Sequence, residues 1–532
     1  MNTPSPAAQE YDVIVVGGAL AGAASAFILK QENPKLRVLV LDRREELQRR
    51  VGEATIEIST YFLTKVLGLT KYLNESHLCK HGLRFWFANE KTKTIADCAE
   101  IGGKYWSRVP AYLVDRATLD QEVLNRAVAA GAELIRPATV HEIKLKAGGQ
   151  QQVIAKVDGV QKTFSARWVI DASGVAAFLA RQEGWWRRNE AHPTATIWSR
   201  WTNVKDWESV ELRRRFPKWS MSCHGQRGAA TNHLMGRGWW AWWIPLKGGD
   251  VSIGAVFDQR TLEIPEGGRP HERLKKFLME HPVAAELMRD AEPTEGDIHT
   301  RRNLAYYSTT FAGDGFALVS DAAGFLDPFY SPGLDWLSFS VSAATNMVLK
   351  ANMGEAVTPM VERMNKDFNR SYHRWFDAIY RDKYHYMGEF DLMRTAFLLD
   401  LGLYYHGVAS QPFRRGDIAL LEPYYSTPPS TPFYHFMRTY NRRFAAMAQS
   451  RFERGVAGQM NDSRRYMFPG YTFELGTLKF IVKAALYWGW LEITEGWRTW
   501  FAKPKSDGQM KEKTEVTPAS TPKEVVAQTT VL

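Results

Sequence analysis

A glycine-rich segment, Gly-Gly-Ala-Leu-Ala-Gly at 17–22, and the later Asp42 form a candidate binding site near the start of the chain. Gly17 permits a tight turn and Gly22 permits close helix packing, although Ala19 replaces the middle glycine of the dinucleotide-binding pattern G-x-G-x-x-G. Asp42, twenty residues after Gly22, could accept hydrogen bonds from a ribose, and a pyrophosphate would bind at the helix N-terminus. The spacing predicts a dinucleotide site, does not choose between NAD and FAD, and leaves a ligand-free turn of small residues as the alternative.

A second unusual feature is concentrated aromatic surface. Trp239, Trp240, Trp242 and Trp243 stand directly before an Ile-Pro pair, in a chain with 19 tryptophans, which is high for any class of protein. A strand buried on both faces would explain them, because aromatic residues favour strands and the proline could end one. Since side chains alternate along a strand, Trp239 and Trp243 would pack on the face opposite to the other two.

Regular elements must position these groups. The stretch 11–42 reads as strand, turn, helix and strand, a βαβ unit that implies a parallel sheet. Buried strands ending in turns are also predicted at 166–174 and 315–324, and the aromatic, β-branched stretch 194–258 predicts antiparallel strands in a second layer. Helical spacing dominates from about residue 342. The predicted class is therefore α/β, elaborated towards α+β.

This organisation predicts three regions. A cofactor-binding domain at 1–350 carries an inserted antiparallel sheet at about 185–300, which faces the substrate. A helical region at 351–502 shapes the substrate pocket. The tail at 503–532, rich in Lys, Glu, Thr, Ser and Pro, is predicted to be disordered, because it cannot bury enough apolar surface.

Composition limits the class of protein. The formal net charge of +10 favours anionic partners, but the basic residues are scattered, which disfavours nucleic-acid binding. Cys79, Cys98 and Cys223 show no paired spacing, so neither a disulfide framework nor a metal site is expected. Without a signal-peptide pattern or a run of eighteen apolar residues, we expect a cytoplasmic protein with no transmembrane segment. The stretch 478–493 could contact a bilayer peripherally, although docking on the protein core is the favoured interpretation.

Four further segments carry a resemblance to a known superfamily. The strand and turn GFALVSDAAG at 315–324, with Asp321 and Gly324, resembles the second FAD motif of the flavoprotein monooxygenases. VGEAT, with Glu53, and DRATLD, with Arg116, stand where that superfamily places flavin-contacting segments, and DASG at 171–174 is similar to a further one. The resemblance implies FAD on a Rossmann-like monooxygenase fold. Each segment by itself could be simple turn chemistry.

The tryptophan stretch then resembles a more specific pattern. Trp240, Trp242, Ile244 and Pro245 match the WxWxIP motif of flavin-dependent halogenases. The resemblance implies a bulky wall that keeps the organic substrate away from the flavin and so prevents ordinary oxygen transfer. It also implies that hypohalous acid is made from reduced FAD, O₂ and chloride or bromide, and then travels to a lysine beside the substrate.

Lys80 is the lysine that the resemblance indicates, in the segment HLCKHGLRFWF. An amine can hydrogen-bond or covalently hold an electrophilic halogen, and burial would lower its pKa towards neutrality. The alternative is an exposed lysine in a polar turn before a strand. Arg84 is the local competitor, in a poorer register.

A departure from the tryptophan-halogenase pattern narrows the range of expected substrates. Tyr330 occupies the place of a glutamate that is thought to assist removal of the ring proton. The departure resembles halogenases of phenols and pyrroles, whose rings stabilise positive charge. Asp335 could replace the missing base, or simply complement a helix dipole. For halide, Ser331 offers a hydroxyl and Gly333 an N–H, whereas the proline between them has no N–H to donate.

The expected function is FAD-dependent halogenation of an electron-rich aromatic compound, free or bound to a carrier protein. The sequence shows no evident NADPH-binding domain, so a separate NAD(P)H:flavin reductase should supply the reduced flavin. The first alternative is a flavin-dependent monooxygenase or oxidoreductase of the same superfamily without halide chemistry. A non-catalytic flavin-binding protein is the second.

Overall fold

The computed structural model describes residues 9–501, so the tail predicted at 503–532 lies outside the described part of the chain. Two large sheets and a helical C-terminal region make up this part. Its strands are β1 (Gln9–Val16), β2 (Val38–Leu41), β3 (Leu78–Lys80), β4 (Leu83–Phe87), β5 (Ala99–Gly103), β6 (Ala111–Leu113), β7 (Glu133–Ile135), β8 (Ala138–Lys144), β9 (Gln151–Val157), β10 (Val160–Asp171), β11 (Trp186–Arg188), β12 (Thr194–Thr202), β13 (Thr231–Gly236), β14 (Trp239–Pro245), β15 (Val251–Asp258), β16 (Glu292–Arg302), β17 (Tyr306–Ser308), β18 (Ala312–Gly313), β19 (Phe316–Leu318), β20 (Gly324–Phe325) and β21 (Arg465–Phe468).

Helices cover both sheets and form most of the C-terminal third. They are α1 (Leu20–Glu32), α2 (Glu57–Tyr61), α3 (Thr70–Ser76), α4 (Arg116–Ala129), α5 (Phe178–Gln182), α6 (Val210–Arg215), α7 (Pro217–Met221), α8 (Pro270–Leu278), α9 (Pro282–Leu287), α10 (Gly333–Asn352), α11 (Thr358–Trp375), α12 (Lys383–Tyr386), α13 (Phe390–Tyr404), α14 (Ser410–Arg415), α15 (Thr431–Glu453) and α16 (Leu478–Thr494).

The first sheet is a largely parallel α/β sheet, as the sequence predicts. Its order is β18-β19-β10-β1-β2-β7, with β9 and β8 continuing as antiparallel strands from β10. Strands β19, β10, β1, β2 and β7 run parallel, and residues 13–16 of β1 are buried because helices and sheet cover both faces. The strand order reverses at β1. A crevice therefore opens at the carboxyl end of β1, where open α/β sheets bind their ligands.

The second sheet contains the tryptophan strand. Its order is β16-β12-β15-β14-β13-β4-β5-β21, and the four strands between residues 194 and 258 pair antiparallel as predicted. Strands from outside the predicted insertion complete it, because β4 pairs parallel with β13, and β21 near the C-terminus pairs parallel with β5. Three distant parts of the chain therefore build this one sheet.

The helical region at 351–501 packs against both sheets. Buried aromatic side chains of α11, α13 and α15 belong to the same large core as β1, β2 and β10. All three cysteines are free, and within residues 9–501 no cluster of side chains could hold a metal ion. Among the helices described, none is long and apolar enough to cross a bilayer.

Candidate active site

Two glycines make the turn after β1 a cradle. A Cβ at Gly22 would stand 1.8 Å from the Gly17 carbonyl oxygen, and one at Gly17, which has φ +105°, would stand 2.5 Å from the Ala172 carbonyl oxygen. The chain can approach itself this closely only because both side chains are absent. Ala19 precedes α1 without a side-chain cap in the described structure, so the first N–H groups of the helix are left to a ligand.

Asp42 lies beside this cradle at the end of β2. It is buried, and its two carboxylate oxygens accept hydrogen bonds from the N–H groups of Gly18, at 2.6 Å, and Arg44, at 2.8 Å. A carboxylate offers about four lone-pair positions, so each oxygen can accept a further hydrogen bond from a ribose hydroxyl. The glycine turn, the open helix N-terminus and this oriented carboxylate fit the adenosine-diphosphate half of a dinucleotide.

Arg116 and Asp321, from distant segments of the chain, lie close enough to influence each other electrostatically. The Arg116 side chain is buried against Asp120, with 2.8 Å between Nε and Oδ1, and lies over Gly52, where a Cβ would stand 2.6 Å from Nη1. Burial raises the pKa of Asp321, and the positive charge of Arg116 opposes that rise. Gly324 follows in β20, where a Cβ would meet the Tyr306 carbonyl oxygen at 3.2 Å.

The Glu53 carboxylate forms an ion pair with an arginine that the sequence does not indicate. Arg200, on β12, donates to Glu53 at 2.7 Å and to Asp115 at 2.6 Å, and all three side chains are wholly or largely buried. Burial raises the Glu53 pKa to about 7 even though the guanidinium lowers it. Arg200 thus ties the second sheet to the two predicted flavin segments, and Glu53 positions backbone rather than offering a free carboxylate.

The tryptophans divide between two cores, as the alternation of β14 predicts. Trp240, Trp242 and Ile244 belong to the large core shared with the first sheet and the C-terminal helices. Trp243 lies in a separate core on the other face of the sheet, and Trp239 packs against that same core.

The buried indole of Trp240 is fixed by a chain of hydrogen bonds. Its Nε1 donates to the Tyr384 hydroxyl at 2.8 Å, and that hydroxyl donates to Asp327 Oδ2 at 2.8 Å. His192 Nε2 lies 2.7 Å from the same carboxylate oxygen. Trp242 Nε1 donates to Ser252 on the neighbouring strand at 3.1 Å. Hydrogen bonds therefore hold both indoles, and neither ring can turn without breaking one.

Lys80 is buried, which excludes the alternative of an exposed lysine in a polar turn. It ends β3 with 1% of its surface exposed, and its Nζ donates to the Thr55 carbonyl oxygen at 2.8 Å. Burial lowers the Lys80 pKa to about 8, against the opposing charges of Glu57 and Asp335. Arg84, the competitor, points elsewhere and forms a buried ion pair with Glu100 at 2.6 Å. Of the two cations, Lys80 is therefore the one that faces the cavity described next.

A cavity of about 120 Å³ lies beside Lys80, between the second sheet and the C-terminal helices. Its wall is mostly aromatic, with Lys80 and two carboxylates, Glu57 and Asp400, set into it. The polar and aromatic lining side chains are Glu57, Lys80, His81, Tyr105, Ser107, Tyr330, Trp375, Tyr380, Phe397, Asp400, Tyr404, Tyr405, Tyr424, Tyr425, Phe468 and Tyr471. Such a wall suits a flat apolar ring that carries hydrogen-bonding groups.

Comparisons with known proteins agree with this geometry. Residues 10–229 match the family model described as "FAD binding domain". The flavin-dependent halogenase chlA of Dictyostelium discoideum is 26% identical over 66% of this chain and 62% of its own length. The monodechloroaminopyrrolnitrin halogenase PrnC of Pseudomonas fluorescens is 24% identical over 68% of this chain and 66% of its own. The chain is thus similar in sequence to flavin-dependent halogenases. It spans less than two thirds of the length of both relatives.

Solved halogenase structures share the fold over nearly the whole chain. The crystal structure of halogenase PltM matches with a TM-score of 0.68 and 20% identity, over 90% of this chain and 96% of that one. The flavin-dependent brominase Bmp2 matches with a TM-score of 0.58 and 19% identity, over 84% of this chain and 100% of that one. Because residues 10–229 match an FAD-binding family model, FAD is the cofactor, and the glycine cradle at 17–22 is its expected place.

The Tyr330 hydroxyl is bonded to a carboxylate that no sequence motif indicates. It donates to Asp400 Oδ2 at 3.0 Å, and the buried Lys383 ammonium lies 2.6 Å from the same oxygen. Asp400 and Lys383 both stand within ordinary helical sequence, and neither belongs to a motif. The motif around Tyr330 has no carboxylate of its own. Asp400, on α13, therefore supplies one beside Tyr330.

Asp335 lies in the first turn of α10, but it is buried and bonded to side chains and backbone of other elements. Its Oδ2 accepts from the hydroxyls of Tyr404, at 3.2 Å, and Tyr424, while its Oδ1 accepts from the Ser59 N–H at 2.9 Å. Burial raises its pKa to about 7. Glu57 has a similar environment, with a hydrogen bond from Tyr405 and a pKa raised by burial. Two carboxylates held by tyrosines therefore lie near the Lys80 ammonium.

The predicted halide turn has a left-handed backbone. Tyr330 and Ser331 have φ values of +71° and +59°, and the Ser331 N–H is already bonded to the Pro328 carbonyl at 2.9 Å. Gly333 is the first residue of α10, where an N–H has no partner within the helix. The groups that could still receive an anion here are the Gly333 N–H and the Ser331 hydroxyl, and both remain a prediction.

Proposed function

We propose that this chain catalyses FAD-dependent halogenation of an electron-rich aromatic compound, with Lys80 delivering the halogen. The observation that carries the proposal is a lysine buried to 1% exposure in the wall of an aromatic cavity, on the side of β14 that carries Trp240 and Trp242. Bound FAD, reduced and with O₂ and a halide, supplies the electrophilic halogen as hypohalous acid. The remaining steps belong to the side chains described above.

Lys80 is suited to hold the electrophile. With a pKa of about 8, about a tenth of the side chain is a neutral amine at pH 7, whereas an exposed lysine would be almost wholly protonated. The neutral form can bind the halogen through its lone pair, and the ammonium form can donate a hydrogen bond to the oxygen of hypohalous acid. Glu57 and Asp335 keep the pKa from falling further, so both forms exist near neutral pH.

Trp240 and Trp242 would separate the aromatic substrate from the flavin. They do not line the cavity itself, but they belong to the core that joins the first sheet to the C-terminal helices. Both indoles are buried and hydrogen-bonded, to Tyr384 and Ser252, and so form a fixed wall. A small hypohalous acid can pass where an aromatic ring cannot. The wall therefore favours halogen transfer at Lys80 over direct oxygen transfer.

The cavity favours a phenol among the possible aromatic substrates. Asp400 and Glu57 are acceptors in a wall otherwise lined by aromatic rings, and a phenolic hydroxyl can donate to either. Partial transfer of that proton raises the electron density of the ring at the moment when the halogen bonds to carbon. Tyr330, hydrogen-bonded to Asp400, would hold this carboxylate at the edge of the ring. A separate NAD(P)H:flavin reductase is the proposed source of reduced flavin.

Product analysis tests the proposal directly. Phenols, pyrroles and indoles would be incubated with the protein, FAD, a flavin reductase, NADH, O₂ and either chloride or bromide, and the products analysed by mass spectrometry. Lys80→Ala should lose the halogen isotope pattern while NADH consumption continues, because flavin reduction does not need the lysine. Lys71→Ala, at an exposed position on α3, is the matched control and should leave product formation unchanged.

A flavin-dependent monooxygenase is the second candidate. It is favoured by the halide turn, where Pro332 has no N–H and that of Ser331 is already bonded. This candidate predicts oxygenated products that form with or without halide. Such products, or normal halogenation by Lys80→Ala, would refute the role proposed for Lys80.

A further inference from the structure

The C-terminal segment 478–501 exposes an unusual amount of apolar surface. Leu486 is 70% exposed, Ile493 76% and Phe501 92%. Four further large apolar side chains of the segment are about half exposed. They are Val482, Trp490, Trp497 and Trp500. Single exposed apolar residues are normal, but a contiguous group of this size marks a binding surface.

These residues lie on one face of α16 and its continuation. Val482, Leu486, Trp490 and Ile493 follow one another by four, four and three residues, which places them along one side of a helix for about 16 Å. The opposite side carries the buried residues of the helix, which pack on the protein core. They are Phe480, Ala484 and Leu491. We call the exposed side, with the tryptophans and Phe501 that follow it, the C-terminal apolar face.

The exposed charged side chains of this segment have one sign. Within residues 478–501, all of which the structure describes, the exposed charged side chains are Lys479, Lys483 and Arg498. The two acidic residues are turned inward. Glu492 is bonded to Arg443 at 2.6 Å, and Glu495 is bonded to Arg451 at 2.5 Å.

We propose that the C-terminal apolar face binds the surface of an anionic lipid bilayer. Helices with apolar and tryptophan side chains on one face and basic residues beside them lie in the plane of the membrane interface, where aromatic rings reach the boundary between headgroups and acyl chains. Lys479, Lys483 and Arg498 would then meet lipid phosphates. A second copy of this chain fits less well, because a two-fold contact would bring the same positive charges together.

The position of α16 gives this contact a consequence for the proposed function. Leu478 and Ile481 line a groove of about 1190 Å³, and Tyr424 and Tyr425 belong both to this groove and to the cavity at Lys80. A bilayer bound at the C-terminal apolar face would lie near the groove. If the proposed halogenation holds, the substrate class would be aromatic compounds that partition into membranes.

Vesicle sedimentation of the full chain tests the binding without using enzyme activity. Wild-type protein should sediment with vesicles of phosphatidylcholine and phosphatidylglycerol, and much less with phosphatidylcholine alone. The double variant Leu486→Ser/Trp490→Ser should lower the partition coefficient at least about tenfold, because it removes two large apolar groups from the contact. Lys479→Glu/Lys483→Glu should lower binding to the anionic vesicles alone. The control Met221→Ser/Met353→Ser, at two positions each 72% exposed elsewhere, should bind as wild type.

Brominated lipids locate the contact. Bromine on the acyl chains quenches tryptophan fluorescence at short range, so wild-type fluorescence should fall when such vesicles are added. The triple variant Trp490→Phe/Trp497→Phe/Trp500→Phe should remove most of that fall while the protein still sediments.

Three results would each overturn the proposal. They are failure of the wild type to sediment, equal binding to neutral and anionic vesicles, and a dimer in solution that the Leu486→Ser/Trp490→Ser variant converts to a monomer. None of them bears on halogenation at Lys80. Conversely, a protein that halogenates nothing could still bind vesicles.

Discussion

Replacing Lys80 by methionine should make the folded protein more stable at neutral pH. Methionine keeps the length of the side chain and removes its charge. If Lys80 is kept for function at a cost in stability, its removal should stabilise the folded protein. If it is kept for structure, its removal should destabilise the folded protein. The buried position of Lys80 makes the size and the pH dependence of the gain calculable.

The magnitude follows from the pKa of Lys80, which burial lowers from 10.5 to about 8. Below pH 8 the side chain is protonated in both the folded and unfolded states, so the folded state bears the full cost of the buried charge, about 3 kcal/mol. Between pH 8 and 10.5 the unfolded state binds more protons, so wild-type stability rises with pH. Methionine also leaves the Thr55 carbonyl without its Nζ donor, at a cost of about 1 kcal/mol.

The net expectation for Lys80→Met is a gain of about 2 kcal/mol at pH 7 that falls close to zero near pH 9.5. For 532 residues this corresponds to a melting temperature raised by about 2 °C at pH 7, measurable by calorimetry on the cofactor-free protein. Other groups titrate over the same range, but they cancel in the difference between the two proteins. The exposed control Lys71→Met should show no difference at either pH. A variant less stable than wild type by the same amount at both pH values would refute the buried-charge argument.

Three further predictions concern the scaffold around the site. Gly22→Ala should abolish FAD binding, because its Cβ would lie 1.8 Å from the Gly17 oxygen. Flavin absorbance after gel filtration measures the binding. The control Gly489→Ala, with open space at its Cβ, should bind FAD normally. Asp42→Asn should weaken FAD binding about tenfold by titration, through loss of a charged acceptor, and an unchanged Kd would place the ribose elsewhere. Glu100→Gln should lower the free energy of unfolding by about 3–5 kcal/mol in urea, because two buried arginines lose their counter-charge. Unchanged stability would mean that these arginines are balanced by other groups.

The cofactor half of the site could be predicted from sequence because its determinants are local. Gly17, Gly22 and Asp42 all lie within one βαβ unit, so their spacing along the chain fixes their spacing in the fold. The alternation of tryptophans along β14 is predictable for the same reason, since the period of a strand does not depend on what packs against it.

The substrate half could not be predicted in the same way. Asp400 reaches Tyr330 across 70 residues, and its partner Lys383 comes from a different helix. Nothing in the local sequence distinguishes this carboxylate from any other acidic residue on a helix. The burial of Lys80 is likewise a property of the surrounding helices. The local sequence therefore cannot distinguish a buried lysine from an exposed one at this position.

The stretch 478–493 illustrates a different limit. Its apolar residues predict either docking on the core or contact with a bilayer, and in the structure both sides of the helix are apolar. Phe480, Ala484 and Leu491 pack inward while Leu486 and Ile493 face outward. A helix that is apolar nearly all round has no periodicity to assign its faces.

The division of β14 between two cores has a consequence for engineering. Trp242 and Trp243 are neighbours in the chain, yet their side chains pack in different cores. Substitutions more than about 7–10 Å apart with no shared partners usually have additive effects, so positions of the two cores that meet this condition can be varied as separate combinatorial libraries. Variants around Trp243 would be screened for solubility and heat resistance, while those around Trp242 would be screened for which compounds are accepted. A winner from one library could then be combined with a winner from the other without repeating either search.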